Sequence, residues 1–200
     1  MGRKKTDVDQ RILKEADLLF YRQGYANTGI QQIVQNAGTN KPGLYNHFAG
    51  KEGLAREYLE RRNEAVLQDI IEAGNESRSA AEFFERWMRF TRDLARRPES
   101  YNGCPVANFA LQTPADDGEM QNYIQAMGQR WQSQLIAYLR KEMRQGRLGH
   151  EVSAASLARQ MLLAQQGAIT MWKITGKLEY FDEAIKLIQN ALNATGKSKS

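Results

Sequence analysis

Hydroxyl, amide, imidazole and ammonium side chains cluster between residues 28 and 51 of this chain. Thr28 and Lys51 stand at the predicted starts of two helices, where unpaired backbone N–H groups and the helix dipole attract anions. Asn40 and Lys41 stand at the start of a third helix. Such donors suit contacts with phosphates and with the edges of bases, so the segment indicates binding of a nucleic acid.

No arrangement of residues typical of a catalytic site appears in the sequence. It holds two histidines and one cysteine, and it has no nucleophile elbow, no glycine-rich phosphate loop and no metal-ligand spacing. We therefore expect a protein that is not an enzyme and that binds no cofactor and no metal ion. We expect a cytoplasmic protein, because the sequence has a single cysteine, lacks a run of about 18 apolar residues and shows no secretion signal.

Basic charge is concentrated near the N-terminus. Residues 1–62 hold 11 lysines and arginines against 7 acidic residues, whereas the rest of the chain holds 17 against 16. Most of the net charge of +5 therefore lies in less than a third of the chain. A small basic region favours a polyanionic partner, although a merely solvated basic surface would have the same composition.

Apolar residues recur at helical spacing along nearly the whole chain, and no alternating strand pattern of useful length is present. The pattern predicts an all-α fold of about nine helices. We expect an N-terminal three-helix domain over residues 1–52, a larger helical domain over residues 53–195 and a disordered tail over residues 196–200. Gly24 is predicted to end the first helix, and Thr28 and Asn40 are predicted to cap the next two.

Two short predicted helices flank a tight turn at residues 38–39, which is the helix-turn-helix pattern. Each is only about two turns long and cannot stand alone in water. The first long helix must therefore cover both. Their shared core is predicted to consist of Leu19, Phe20, Ile33, Leu44 and Phe48. The second short helix then projects from this support and can enter a major groove about 12 Å wide.

The stretch TGIQQIVQNAGTNKPGLYNHFAGKEGL, residues 28–54, resembles the DNA-binding signature of the TetR family of transcriptional regulators. The matching features are the opening threonine, the Ile and Ala-Gly pair, the small N-cap, the Leu-Tyr pair, the His-Phe end and the Lys-Glu that starts the next helix. The resemblance covers about the first 60 residues. Pro42 departs from the family, which often has a small residue there, and it removes one N–H that could have met a phosphate.

The resemblance implies a role for each matched position. Tyr45, His47 and Lys51 match positions that usually touch phosphates, while a packing or capping role for His47 is equally open. Lys41, Pro42 and Gly43 begin the recognition helix, near base edges, and a basic arm at residues 3–5 could enter a groove. The predicted DNA-binding residues are Thr28, Gln31, Thr39, Asn40, Lys41, Pro42, Gly43, Leu44, Tyr45, Asn46, His47 and Lys51.

The last two predicted helices are apolar over a broader part of their circumference than one docking stripe needs. The resemblance implies that this breadth serves a homodimer, which binds a palindromic operator in double-stranded DNA. A fully buried monomer core is the alternative. The predicted dimer residues are Leu157, Met161, Ala164, Ala168, Met171, Trp172, Phe181, Ile185, Ile188 and Leu192.

Aromatic and methionine side chains are abundant in the middle of the chain, where the resemblance implies a pocket for a small-molecule inducer. A plain core stripe would have the same composition. The predicted pocket residues are Trp87, Met88, Cys104, Asn108, Phe109, Tyr123, Met127, Trp131 and Gln165. The Gly-Cys pair at residues 103–104 also resembles a subgroup that senses electrophiles or oxidants, but a buried, inert thiol is slightly favoured.

These expectations combine into one leading hypothesis, which is a sequence-specific repressor that an inducer or electrophile releases from its operator. The inducer would tilt the fourth helix and spoil the spacing of the two recognition helices. An activator, or a DNA-binding regulator that needs no ligand, is the alternative. A helical enzyme or carrier with an incidental helix-turn-helix is disfavoured by the missing catalytic groups.

Overall fold

Nine α-helices account for most of the chain that the structure describes. The computed structural model describes residues 7–196 except residues 115, 150 and 152, and it leaves out the side chains of residues 194–196. No strand occurs in this part of the chain, which confirms the predicted all-α fold. The helices are α1 (Asp7–Gln23), α2 (Ile30–Asn36), α3 (Lys41–Tyr45), α4 (Gly50–Asn75), α5 (Ala80–Ala95), α6 (Pro105–Ala110), α7 (Gly118–Arg144), α8 (Ala154–Thr175) and α9 (Glu179–Gly196).

Local capping explains where the first helices begin and end. Gly24 follows α1 with a φ of 88°, a backbone conformation that favours glycine. The side chain of Asn40 accepts a hydrogen bond of 2.8 Å from the Gly43 N–H, which confirms it as the cap of α3. The predicted cap of α2 is wrong, because Gly29 occupies that position. Thr28 instead donates its hydroxyl to the Gly24 carbonyl at 2.7 Å.

The chain divides into two compact units. Unit 1 is the chain up to Glu64 together with Pro105–Gln121, and unit 2 is Ala65–Cys104 together with the chain from Asn122 on. The predicted boundary at residue 52 therefore falls inside unit 1, and α6 belongs to unit 1 although it follows residue 53. The predicted tail begins at Gly196, which is the last residue of α9, and residues 197–200 lie outside the described residues.

Four aromatic rings join α1, α4 and α6 within unit 1. We call Phe20, Tyr25, Tyr58 and Phe109 the aromatic cluster. Their ring centroids lie 5.4 Å apart for Phe20 and Tyr25, 4.7 Å for Tyr25 and Phe109, and 5.6 Å for Phe20 and Tyr58. Rings at this spacing attract one another beyond the area that they bury, so the cluster ties α6 to the helices that precede it.

Polar contacts reinforce the same unit. Arg62 on α4 forms two hydrogen bonds of 2.9 and 2.6 Å with the carboxylate of Asp17 on α1. Its guanidinium also lies 4.4 Å from the centre of the Tyr21 ring. A two-pronged arginine–carboxylate pair fixes direction as well as distance, so it sets the orientation of α4 against α1.

Unit 2 is built around α5, α7, α8 and α9. Phe83 of α5 packs against Tyr138 of α7 with ring centroids 4.5 Å apart, and the Tyr138 hydroxyl donates to the Ser79 carbonyl at 3.2 Å. Arg92 of α5 donates to Asp182 of α9 at 2.8 Å. Of the helices described here, none has both the length and the apolar composition needed to cross a membrane.

Candidate nucleic-acid interface

The recognition helix α3 presents a short polar ridge and is anchored by one apolar side chain. Leu44 is fully buried, while Lys41, Pro42, Tyr45 and Asn46 are exposed on the other side. Tyr45 is 56% exposed, so this large aromatic side chain is open to an outside partner. The ridge therefore offers an ammonium group, a phenol and an amide from one rigid element.

The turn between α2 and α3 holds the recognition helix close to α2. The Thr39 N–H donates to the Val34 carbonyl at 2.9 Å, and Gly38 adopts a φ of 63°. A Cβ at Gly43 would lie 2.6 Å from the Thr39 hydroxyl oxygen. The absence of a Cβ at Gly43 thus leaves room for the Thr39 side chain, and contact of Gly43 with DNA stays a prediction.

Two predicted contact residues lie in the core instead of on the surface. Thr28 is 1% exposed and Leu44 is 0% exposed, so neither side chain is open to DNA in this structure. The Thr28 hydroxyl is used within the protein, because it donates to the Gly24 carbonyl at the end of α1. Gln31 and Asn40 are exposed and Thr39 is half-buried, and the basic arm at residues 3–5 lies outside the described residues.

His47, just after α3, faces the first turn of α1. Its Nδ1 pairs with the carboxylate of Asp9, and both side chains are largely buried. From the sequence, a phosphate contact and a packing role were both open for His47. The pair with Asp9 shows that at least one nitrogen of the His47 ring contacts another residue of the protein. Asp9 was missed from the sequence because the two residues are far apart in the chain and no spacing rule connects them.

Lys51, in the first turn of α4, lies over an aromatic ring. Its Nζ is 4.3 Å from the centre of the Tyr25 ring, which is a cation–π contact. Burial lowers the pKa of Lys51, and burial followed by the charges of Glu52 and Asp117 raises the pKa of Tyr25. Tyr25, a member of the aromatic cluster, therefore helps to position Lys51, which is predicted to bind a phosphate. Tyr25 is a second residue of the candidate site that was missed from the sequence.

Comparison with known proteins identifies this arrangement. Residues 12–58 match the family described as "Bacterial regulatory proteins, tetR family", and residues 78–188 match the "Tetracyclin repressor-like, C-terminal domain". The chain belongs to the TetR family. Its members are DNA-binding transcriptional regulators of the helix-turn-helix type and not enzymes, as predicted.

Individual relatives and solved structures are also similar to this chain. The chain is 30% identical over 141 residues to the uncharacterized HTH-type transcriptional regulator YxaF of Bacillus subtilis, covering 70% of this chain and 72% of YxaF. It superimposes on the regulator SCO4454 of Streptomyces coelicolor with a TM-score of 0.82 at 20% identity, covering 96% and 97% of the two chains. A cysteine mutant of CifR bound to a 26-bp operator duplex has a TM-score of 0.77 at 20% identity, with 97% and 100% covered.

The residues predicted for the inducer pocket of this TetR-family chain are distributed over both units. Asn108 and Phe109 belong to unit 1, where Phe109 contacts Tyr25, and the remaining seven residues belong to unit 2. Trp87 lines a cavity of about 380 Å³ between α4 and α5, and Tyr123 lines another of about 640 Å³ between α4 and α7. The other predicted pocket residues of unit 2 are buried, namely Met88, Cys104, Met127, Trp131 and Gln165.

TetR-family regulators bind operator DNA as dimers, which agrees with the predicted homodimer. Most of the predicted dimer residues are buried within this chain and only three are half-buried, namely Ala164, Met171 and Leu192. The large apolar side chains that α8 and α9 leave exposed are different ones. Leu163 is 73% exposed, Ile174 is 71% exposed and Leu187 is 63% exposed.

We expect Lys41→Ala to weaken binding of a duplex selected from a random pool by roughly tenfold, because the Lys41 side chain at the start of α3 is exposed and is predicted to lie near base edges. Fluorescence anisotropy at constant salt measures this loss. Lys186→Ala, which removes the same charge from an exposed position on α9, is the control and should leave the affinity unchanged. An equal loss in both variants would mean that net charge, and not α3, carries the binding.

Proposed function

We propose that this chain is a repressor that binds a palindromic operator as a homodimer in the cytoplasm and is released by a small-molecule inducer. The observation that carries the proposal is the exposed ridge of α3, held on a unit whose core also contains α6. The relatives DhaR of Mycobacterium sp. and ComR of Escherichia coli, each 22–26% identical, are named as transcriptional repressors. Their names favour repression over activation.

The exposed apolar side chains of α8 and α9 support a revised dimer face. Leu163 and Ile174 lie about three helical turns apart and so share one face of α8. Gly167 lies between them, and a Cβ there would meet nothing, which leaves room for close approach of a second helix. Three large apolar side chains are exposed on two adjacent helices. An interface between two copies explains them best, because a second copy would remove their apolar surface from water.

We expect Leu163→Glu to convert the dimer to a monomer, because a carboxylate would be buried against a second apolar helix. Operator affinity should fall on the order of 100-fold as the two half-sites lose their linked recognition helices. Sedimentation equilibrium gives the mass and anisotropy gives the affinity. Leu111→Glu is the control, since Leu111 is 88% exposed in unit 1. A dimeric Leu163→Glu protein would place the interface elsewhere.

The chain path suggests how an inducer would act on unit 1. The loop before α6 is fixed to α8 within unit 2, because the Tyr101 ring lies 5.5 Å from the Trp172 ring and the Asn102 side chain contacts Lys173. A few residues later, Phe109 joins the aromatic cluster of unit 1. An inducer that displaces this loop would therefore move α6. Phe109 of α6 packs on Tyr25, and the Tyr25 ring contacts Lys51.

The single thiol is a weaker candidate for the trigger. Similar structures include a reduced form of NemR of Escherichia coli and cysteine mutants of CifR, so Cys104 is a second candidate for the response. Cys104 is only 5% exposed, so a reagent in solution has little access to this thiol. A non-covalent inducer is therefore the better supported part of the proposal.

A reporter experiment tests the proposed function. The selected operator is placed between a constitutive promoter and a reporter gene, and expression is compared with and without the protein. We expect expression to fall, whereas a rise would show an activator. N-ethylmaleimide should leave the operator complex intact in both wild type and Cys104→Ser. Release in wild type only would assign an electrophile sensor to Cys104.

A further inference from the structure

We propose that the cavity between α4 and α5 binds a small aromatic cation through the carboxylate of Asp69 and the rings of Trp87 and Phe90. This α4–α5 cavity has a volume of about 380 Å³ and is lined only by residues of unit 2. Its volume is within the range of ligand pockets in proteins. The inference rests on the proposed response to an inducer, and it adds the chemical class of that inducer and its binding site.

Aromatic rings form the apolar part of the α4–α5 cavity. Trp87 is held by its neighbours on α5, since its ring centroid lies 6.0 Å from that of Phe83 and 6.1 Å from that of Phe84. Phe90 lines the same cavity and is 46% exposed. Aromatic ligands pack well against such rings, and the faces of indole and phenyl rings also attract cations.

The charges around the cavity favour a cation over an anion. The charged residues that line it are four acids and two arginines, namely Asp69, Glu72, Glu76, Asp93, Arg86 and Arg89. Both arginines are already paired with acids. Arg86 contacts Glu76 at 3.2 Å and Glu82 at 3.1 Å. Arg89 contacts Glu85 at 2.6 Å. An anionic ligand would have to compete with these acids for the guanidinium groups.

Asp69 is an acid of the lining that lacks a positive partner. Within the described part of the chain, its carboxylate forms no hydrogen bond and no ion pair. The nearby Glu72 accepts a hydrogen bond of 2.7 Å from Gln68, which is uncharged. Burial, followed by the charge of Glu72, raises the pKa of Asp69 to about 6. The ionised carboxylate is therefore in an unfavourable environment, and a cation in the cavity would stabilise it.

The cavity gives an inducer a second route to unit 1, through α4. Asp69 and Lys51 belong to the same uninterrupted helix, α4 (Gly50–Asn75). A ligand that changed the packing of Asp69 against α5 would therefore act on the helix that also carries Lys51, which is predicted to bind a phosphate.

Three ring compounds of similar size test the ligand class. We expect wild type to bind 1-methylquinolinium, which is permanently cationic, on the order of tenfold more tightly than quinoline, which is uncharged in mildly alkaline buffer. The anion 1-naphthoate should bind most weakly of the three. Isothermal titration calorimetry with the full-length protein gives each affinity.

Substitutions test the residues of the cavity. Asp69→Asn should lose about tenfold in affinity for 1-methylquinolinium and little for quinoline, because only the cation uses the charge. Phe90→Leu keeps an apolar side chain without the ring and should weaken both compounds by roughly threefold. Asp116→Asn removes a carboxylate from an exposed position in unit 1, so it is the matched control and should bind like wild type. Thermal unfolding of each variant establishes that the protein assayed is folded.

Three results would overturn the proposal. They are no tighter binding of 1-methylquinolinium than of quinoline, tighter binding of 1-naphthoate, and wild-type affinity for the cation in folded Asp69→Asn. Release of the operator is measured separately by anisotropy, and 1-methylquinolinium should release the duplex from wild type but not from Asp69→Asn. A cation that binds through Asp69 and leaves the wild-type operator complex intact would support the site and contradict the proposed inducer response.

Discussion

Packing of Phe109 against the other three rings of the aromatic cluster is the interaction on which unit 1 depends. Helices α2 and α3 have only seven and five residues, which is too short for stability in water. They pack on α1 and on each other. The rings of Phe20, Tyr25 and Tyr58 connect α1 and α4 to α6. The recognition helix is therefore supported by a segment that comes more than 50 residues after it.

This dependence joins two properties that a regulator must have. A rigid α3 can present its exposed ridge to a groove with little loss of entropy on binding. Phe109 of α6 packs on Tyr25, and Lys51 lies over the same Tyr25 ring. The ring contacts that support unit 1 are therefore the ones through which the proposed release would act on Lys51, which is predicted to bind a phosphate.

The features that the sequence predicts correctly are those that depend on local physics. Asn40 as a cap and Gly24 as a helix end depend only on neighbouring backbone, and both are confirmed. The pairs Asp9–His47 and Tyr25–Phe109 could not be predicted, because periodicity shows which residues face inward but not which helices meet. The predicted dimer residues followed the strongest apolar stripe of each helix, and that stripe docks within the chain. Leu163 and Ile174 lie on the opposite side.

Native-state hydrogen exchange in the full-length Phe109→Ala variant tests the central claim most directly. Phe109 is 3% exposed, so its loss leaves a cavity beside Tyr25 and Tyr58. The account predicts that the slowest amides of α1–α3 lose about 3 kcal/mol of opening free energy, while those of α8 and α9 keep theirs. Unchanged protection in α1–α3 would contradict it, because the recognition helix would then be held without α6.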